Sequence, residues 1–257
     1  MDLPLQTLAL LLIVFIVIIL TLLYHARALD RRRTFSRRSL PALDALRQGL
    51  GGGAETGRAI HLSPGSGTIG ARATTAETIA GLLAAERTAT EAALSGIPVV
   101  ASSGDAVAHL ALRGTLRQAY QRAGLGQDYN PDNVQLLAQQ DPMAYASGVS
   151  MLYGRQRFEA SQLIGSFGYE VLLATGAGAQ QGVPQVAGAT TSTALPLIYL
   201  TSEGTLIGED MYAAEAYLSR VPEAQGRLLT HDALRTVAIV AIVTLALWQA
   251  AQSFIGA

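Results

Sequence analysis

Between residues 56 and 222, short apolar runs alternate with longer segments in which apolar residues recur every three or four positions. The short runs are typical of buried strands and the longer segments of amphipathic helices. Strands are predicted at 59–63, 97–102, 133–139, 158–167, 183–191, 195–201 and 205–208, and helices at 75–96, 105–124, 141–155, 168–180 and 209–220. Strands that alternate with helices predict an α/β fold, a Rossmann-like, mostly parallel sheet with helices on both faces.

Local signals at the segment ends support this interpretation. Thr74 and Glu77 have the spacing of a capping box at the start of the 75–96 helix, and Gly96 provides a stop. Asp141 is predicted to cap the 141–155 helix, with Pro142 in its first turn. A tight turn at 202–204 is predicted to join the last two strands as a hairpin.

The two ends of the chain are apolar. Residues 3–24 and 236–257 each carry no charge over 22 residues, and a helix of roughly 33 Å is long enough to cross a bilayer core of about 30 Å. The sequence therefore predicts one transmembrane helix at each end. The alternative for the first run, a cleaved signal peptide, is disfavoured because no Lys or Arg precedes the run and the run is too long.

Arginines next to the apolar runs predict the orientation. Because positive residues near membrane helices favour the cytoplasmic side, the main domain is predicted to be cytoplasmic and both termini to lie outside. Capture of anionic lipid head groups is a second interpretation of the same cluster. The chain is predicted to have four segments. They are a first transmembrane helix at 1–24, an Arg-rich juxtamembrane segment at 25–55 with a short helix at 40–52, the α/β domain at 56–222, and a connector with the second transmembrane helix at 223–257. The residues predicted to set the topology are Arg27, Arg31, Arg32, Arg33, Arg37, Arg38 and Arg235.

The composition excludes several classes of chemistry. The chain has no Cys, which excludes disulfides, thiolate catalysis and zinc–thiolate sites. It also has no Lys, since all 18 basic residues are Arg, which excludes the P-loop lysine and Schiff-base chemistry. The net charge of −1 gives no nucleic-acid signature. The four histidines have no metal-ligand spacing, and no cofactor and no catalytic residue are predicted.

A glycine-rich stretch, HLSPGSGTIG, follows the first predicted strand. A dinucleotide fingerprint needs its third glycine in the first turn of the helix and an acidic residue about 20 positions further on; both spacings are wrong here. The stretch is therefore predicted to be a tight strand-to-helix connection that retains a capacity to hold an anion through backbone amides. The candidate anion-binding residues are Gly65, Gly67, Gly70, Arg72, Ser102, Ser103, Asp105 and Ser166.

Four segments, HLSPGSGTIG, DPMAYASGVSML, LIGSFGYEVLL and TLIGEDMYAAEAYL, occur in that order between the two apolar ends. Together they resemble an uncharacterised family of bacterial membrane proteins of unknown function. The resemblance implies a protein of the bacterial cytoplasmic membrane with a cytoplasmic α/β domain. It implies no activity, cofactor or catalytic residue.

Two functional hypotheses follow. The first is a membrane-anchored scaffold, partnered by the lipid bilayer, that forms a homo-oligomer through the α/β domain and the terminal helices and has no evident catalytic activity. The alternative is a domain that binds an anionic small molecule, a nucleotide or sugar phosphate, at the 65–72 loop. A transporter subunit is less favoured because neither apolar run contains an ionisable residue. Small residues that permit close helix approach in the second run support the homo-oligomer: Ala238, Ala241, Ala246 and Ala250.

Overall fold

The computed structural model describes residues 5–29, 40–71, 73–218 and 222–255. The chain forms two compact units. The first contains two helices that pack against each other, α1 (Leu5–Leu29) and α9 (Pro222–Ile255). The second, Arg38–Leu218, contains the sheet and the remaining helices.

The second unit is built on one six-stranded sheet in which every described pair of neighbouring strands is parallel. The strand order is β3-β2-β1-β4-β5-β6, the order of a doubly wound Rossmann-type sheet. This result confirms the predicted α/β class. The strands are β1 (Ile60–Gly65), β2 (Val99–Ser103), β3 (Val134–Leu136), β4 (Ala160–Ser166), β5 (Gln185–Ala189) and β6 (Gly204–Ile207).

Helices cover both faces of the sheet. On the front face lie α2 (Pro41–Thr56), α3 (Thr75–Leu94), α4 (Ala106–Arg122) and α8 (Glu209–Leu218). On the back face lie α5 (Pro142–Arg155), α6 (Val171–Gln180) and α7 (Leu195–Thr201). A short 3-10 turn, Pro131–Asn133, precedes β3.

Alternation of side chains along the central strands divides the core into two layers. In β4, Ile164 packs with α2 and α8 on the front, whereas Leu163 packs with the back helices. In β1, Ile60 and Leu62 belong to the front layer beneath α3 and α4. His61 points to the back and contacts Tyr153 of α5. Both faces of the central strands are therefore buried, as expected for a parallel sheet between two helical layers.

Residues 195–201 are a helix, so the prediction of a strand there was wrong. By periodicity alone, an apolar run of seven residues fits a buried strand as well as a helix. Pro196 lies in the first turn of α7, where its missing N–H leaves no helical hydrogen bond unmade. The predicted hairpin is also absent from this part of the described chain, because β6 pairs in parallel with β5.

The predicted capping box at the start of α3 does not form. Within the described structure, Thr74 makes no side-chain cap; its hydroxyl donates instead to the Thr68 carbonyl at 2.7 Å. The Asp141 cap is confirmed, since its carboxylate accepts from the Ala144 N–H at 3.0 Å. Gly96 follows α3 with a φ of +70°, which confirms the predicted stop.

Among the described residues, no helix combines the length and the apolar character needed to cross a membrane, for which about 20 consecutive apolar residues are required. The predicted two-pass topology, with its inner-membrane location and outward termini, was therefore wrong. Arg235 is exposed on α9, and Arg27 lies in α1. The other arginines of the predicted topology set lie outside the described residues: Arg31, Arg32, Arg33, Arg37 and Arg38.

Candidate functional site

The site lies where β1 and β4 meet at the carboxyl edge of the sheet. From β1 the chain continues to β2 on one side, and from β4 it continues to β5 on the other. In open α/β sheets this topological switch point is where ligands bind. Its walls are formed by the 66–74 loop between β1 and α3, described at 66–71 and 73–74, and by the loop 167–170 between β4 and α6.

Glycines allow the two strand ends to approach closely. Gly65 has a φ of +95°, and a Cβ there would lie 2.1 Å from the Ser166 carbonyl oxygen. Gly165 has a φ of +150°, and its Cβ would lie 2.1 Å from the Pro64 oxygen. Any larger residue at either position would force the two strand ends apart.

A third glycine brings α3 onto the same spot. A Cβ on Gly81 would lie 2.1 Å from the Ile164 oxygen and 3.0 Å from Pro64 Cα. In a dinucleotide fingerprint the third glycine supplies this close helix–strand packing. Here the packing is supplied by Gly81, whereas Gly70 lies in the loop and its N–H donates to Thr75 Oγ1 at 2.9 Å.

Glu170 holds the two loops together. Its Oε1 accepts hydrogen bonds from Ser66 Oγ at 2.7 Å and from the Gly168 N–H at 2.9 Å. The Ser66 N–H also donates to the Ser166 carbonyl at 3.1 Å. Glu170 is only 3% exposed. A buried carboxylate needs such hydrogen-bond donors to offset its lost hydration.

Glu77 is a second buried carboxylate at this edge. It lies in the first turn of α3 and accepts a hydrogen bond from Thr190 Oγ1, just after β5. Burial raises the pKa of Glu77 above its usual value, and a hydrogen bond from the Ser166 side chain partly opposes that shift. Glu77 thus connects α3 to the ends of two strands rather than capping its own helix.

The end of β2 adds an unusual hydroxyl. Ser103 is fully buried, and within the described part of the chain its Oγ has no hydrogen-bond partner. By strand alternation it lies on the front face with Ala101. Ile69, from the 66–74 loop, packs against that same front layer. The loop therefore contacts the same layer of the core that lies on the Ser103 side of the sheet.

A separate polar network fills the back of the central strands. His61 Nδ1 lies 2.9 Å from the Tyr153 hydroxyl and 3.1 Å from Ser161 Oγ, and its Nε2 lies 2.8 Å from Ser102 Oγ. Burial lowers the pKa of His61 to about 3, so the ring is neutral near pH 7. This neutral ring is fully buried and serves to satisfy neighbouring hydroxyls.

Ser63 and Tyr145 extend this network. Ser63 Oγ donates to the Ser102 carbonyl at 2.8 Å and lies 2.5 Å from the Tyr145 hydroxyl. Burial raises the pKa of Tyr145 to about 12, although its hydrogen bonds with the Ser63 and Ser102 side chains oppose the shift. Ser63 pairs with a phenol and a carbonyl rather than with a base, so this geometry does not activate it as a nucleophile.

A family model matches residues 3–256, almost the whole chain. The chain belongs to the family Domain of unknown function (DUF6754). No curated protein and no solved structure matches it. The predicted resemblance to a family of unknown function is thus confirmed, whereas the bacterial origin stays a prediction.

In this DUF6754 chain, four of the predicted anion-binding residues lie at the switch point. A Cβ on Gly67 would lie 2.4 Å from Ser166 Cβ, and Gly65 pairs with Ser166 in the sheet. Ser103 ends the neighbouring strand, β2. The next residue, Gly104, donates its N–H to the Gly65 carbonyl at 3.1 Å, which brings the end of β2 next to Gly65.

Of the other four, Gly70 lies in the loop before α3, where its N–H donates to Thr75 Oγ1, and two have partners elsewhere. Ser102 bonds to His61 on the back face. Asp105 caps α4, accepting from the Val107 and Ala108 N–H groups at 3.0 Å each. Arg72 lies outside the described residues.

The carboxylates of this DUF6754 site were not among the predicted site residues. Glu77 had been interpreted as a capping residue, and its partner Thr190 is 113 residues away in sequence. The signal available in the sequence was an acidic residue in a helix predicted to be amphipathic and half-buried. Acidic residues are rarely buried without a partner, so a partner for Glu77 could have been expected. Among the described residues, no group of three or more His, Asp or Glu is arranged to hold a metal ion.

Proposed function

We propose that this chain binds a small molecule at the β1–β4 switch point, beneath the 66–74 loop. The observation that carries the proposal is that two buried carboxylates, Glu77 and Glu170, reach the switch point of a doubly wound sheet and are each held there by hydroxyl groups. Sites with a few convergent polar groups at such switch points are where α/β proteins take ligands.

The chemistry of these groups favours a hydroxyl-rich ligand. Carboxylates accept hydrogen bonds from hydroxyls, and in this structure Ser66 donates to one carboxylate and Thr190 to the other. A sugar or ribose diol offers the same donors and can replace them. Ser103 Oγ, buried and unpartnered within the described residues, is a further group that a ligand hydroxyl would satisfy.

The sequence-based hypothesis of an anionic ligand becomes part of this proposal. Two buried carboxylates repel a phosphate placed directly between them. The phosphate of a sugar or nucleoside would have to lie away from both carboxylates, Glu77 in the first turn of α3 included. The ligand class proposed is therefore a nucleoside or sugar, with or without a phosphate, and no reaction is assigned.

Binding is tested by thermal shift and calorimetry of the full chain with matched sugars, nucleosides, their phosphates and inorganic phosphate. We expect Glu170→Gln and Glu77→Gln to weaken binding of the hydroxyl-bearing ligands at least tenfold. The control is Glu91→Gln, which changes an exposed acid on the same helix, α3. No response to any hydroxyl-bearing compound, or equal loss in the control, would contradict the proposal.

A phosphate contribution has its own variant. Arg72→Ala is expected to remove one charge-assisted hydrogen bond, about 1.5–3 kcal/mol, from the phosphorylated ligands only. Equal affinities for a nucleoside and its phosphate would show that hydroxyl groups alone are recognised.

A homo-oligomeric scaffold is the second candidate. The observation that favours it is a group of exposed apolar side chains on the back helices, which include Leu172 at 47% and Leu200 at 78% exposed. The two candidates are compatible, because the switch point lies at the sheet edge and these side chains lie on the outer surface of one helical layer. The oligomeric state of the full chain, measured by light scattering, tests this candidate.

A further inference from the structure

The outer surface of the back helices differs from the front in its charge. α6 and α7 contain no charged residue, and α5 has only Arg155, at its last position. The front helices α3 and α4, by contrast, carry Glu77, Glu86, Arg87, Glu91, Arg113, Arg117 and Arg122. A surface that faces water normally mixes charges of both signs, so the back layer lacks the usual features of a permanently exposed surface.

Large apolar side chains occupy this uncharged surface. The three helices are neighbours: Ser150 Oγ donates to the Leu173 carbonyl at 3.2 Å, and Thr175 Oγ1 lies 2.7 Å from Thr201 Oγ1. We call the surface that they form the back face. The exposed apolar side chains of the three helices are Met143 (44%), Met151 (57%), Leu172 (47%), Leu173 (39%), Tyr199 (68%) and Leu200 (78%). Tyr169 (65%), in the loop directly before α6, is counted with them.

The area of these side chains matches that of a stable interface. At such exposed fractions, side chains of this size each offer on the order of 100 Å², so the set offers roughly 700 Å². A standard interface buries about 800 Å² per partner, whereas the largest apolar patch of a typical monomer is about 300–600 Å². The back face is therefore large enough to form most of one side of a specific interface.

We propose that the occupant of the back face is a second copy of this chain, related by a two-fold axis near α6. This inference rests on the second candidate function and assigns its surface. In an isologous dimer each surface meets its own copy, so any net charge would face a like charge. An uncharged apolar face meets that requirement, and its Met and Tyr content is typical of interface cores.

The dimer is tested first by light scattering of the full chain over a micromolar concentration range. We expect the double variant Leu172→Arg/Leu200→Arg to lower the assembly to half its mass, because four like charges would enter one interface. The matched control is Leu110→Arg on α4, which replaces a leucine that is 67% exposed on the front and is expected to leave the mass unchanged. Circular dichroism checks that the variants remain folded.

Cross-linking locates the contact directly. Because the chain has no Cys, a single introduced Cys can react only with the same Cys of another copy. Leu172→Cys is expected to give a covalent dimer with a short bismaleimide, and Leu110→Cys is expected to give none. A monomeric wild-type chain, an assembly unaffected by the double variant, or a monomer bound to a different protein through this face would overturn the proposal.

These outcomes are separable from those of the ligand proposal. Glu77→Gln alters the switch point and should leave the mass of the assembly unchanged. Leu172→Arg/Leu200→Arg alters the back face and should leave ligand binding unchanged.

Discussion

Replacing Gly81 with Ala tests whether the close approach of α3 to the strand ends is a real constraint. The new Cβ would lie 2.1 Å from the Ile164 oxygen, 3.0 Å from Pro64 Cα and 3.1 Å from Gly165 Cα. All three are backbone atoms, so no side-chain rotation can relieve the contact. Since non-bonded heavy atoms rest about 3.5 Å apart, α3 must move outward by about 1 Å.

Two opposing effects set the size of the change. Overpacking of this kind costs about 1–3 kcal/mol, and the contact with rigid backbone places Gly81→Ala at the upper end. The higher helix propensity of Ala returns about 1 kcal/mol. The net loss is therefore about 2 kcal/mol, which lowers Tm by about 4–8 °C for a unit of this size.

The matched control is Gly114→Ala. Gly114 lies inside α4 with no atom near its Cβ position, so this change is expected to stabilise the protein by about 0.5–1 kcal/mol. Urea denaturation followed by circular dichroism measures both variants. If Gly81→Ala were as stable as Gly114→Ala, the packing of α3 on β4 would not be as tight as described and the reasoning would fail.

Three further predictions concern single side chains. The pKa of His61 is about 3 in the folded protein, so the stability that depends on its neutral form is lost as pH falls below about 6.5. The loss by pH 4 is about 3 kcal/mol, and urea denaturation across this range should give a shallower pH dependence for His61→Gln. Burial raises the pKa of Glu77, so ionisation of its carboxyl group opposes folding as pH rises above 4.5. The variant Glu77→Gln does not ionise and should therefore gain stability relative to wild type between pH 4 and 7. Asp105→Ala should lose about 1 kcal/mol in the same assay through its cap on α4, while Asp105→Asn should lose less; equal losses would contradict a capping role.

Much of the fold follows from local sequence signals. The helix predicted at 75–96 is α3, Thr75–Leu94, because a glycine and apolar periodicity mark its extent. The prediction failed at α7, where an apolar run of seven residues fits either structure and the position of Pro196 decides for a helix. The membrane helices were inferred from the length and the apolar, uncharged character of the two terminal runs, and the described helices do not meet the requirements for a span.

The site was predictable only in part. The strand-to-helix position of Gly65 and Gly67 follows from the local pattern, and the structure places both there. The pairing of Glu77 with Thr190, and the contact of Gly81 with β4, depend on how distant segments meet in the sheet. Because periodicity reports on neighbours along the chain, it does not contain this information.

The register of the central strand pair has a consequence for synthesis. Ile60 of β1 pairs with Ala160 of β4, 100 residues later in the chain. At a translation rate of about 5–20 residues per second, β1 is made roughly 5–20 s before its central partner exists. During that interval the edge of β1 that later pairs with β4 in the middle of the sheet is unpaired. The free backbone N–H and C=O groups of such an edge can pair with other chains. The ribosome-bound intermediate, rather than the finished protein, is therefore the form most in need of a chaperone.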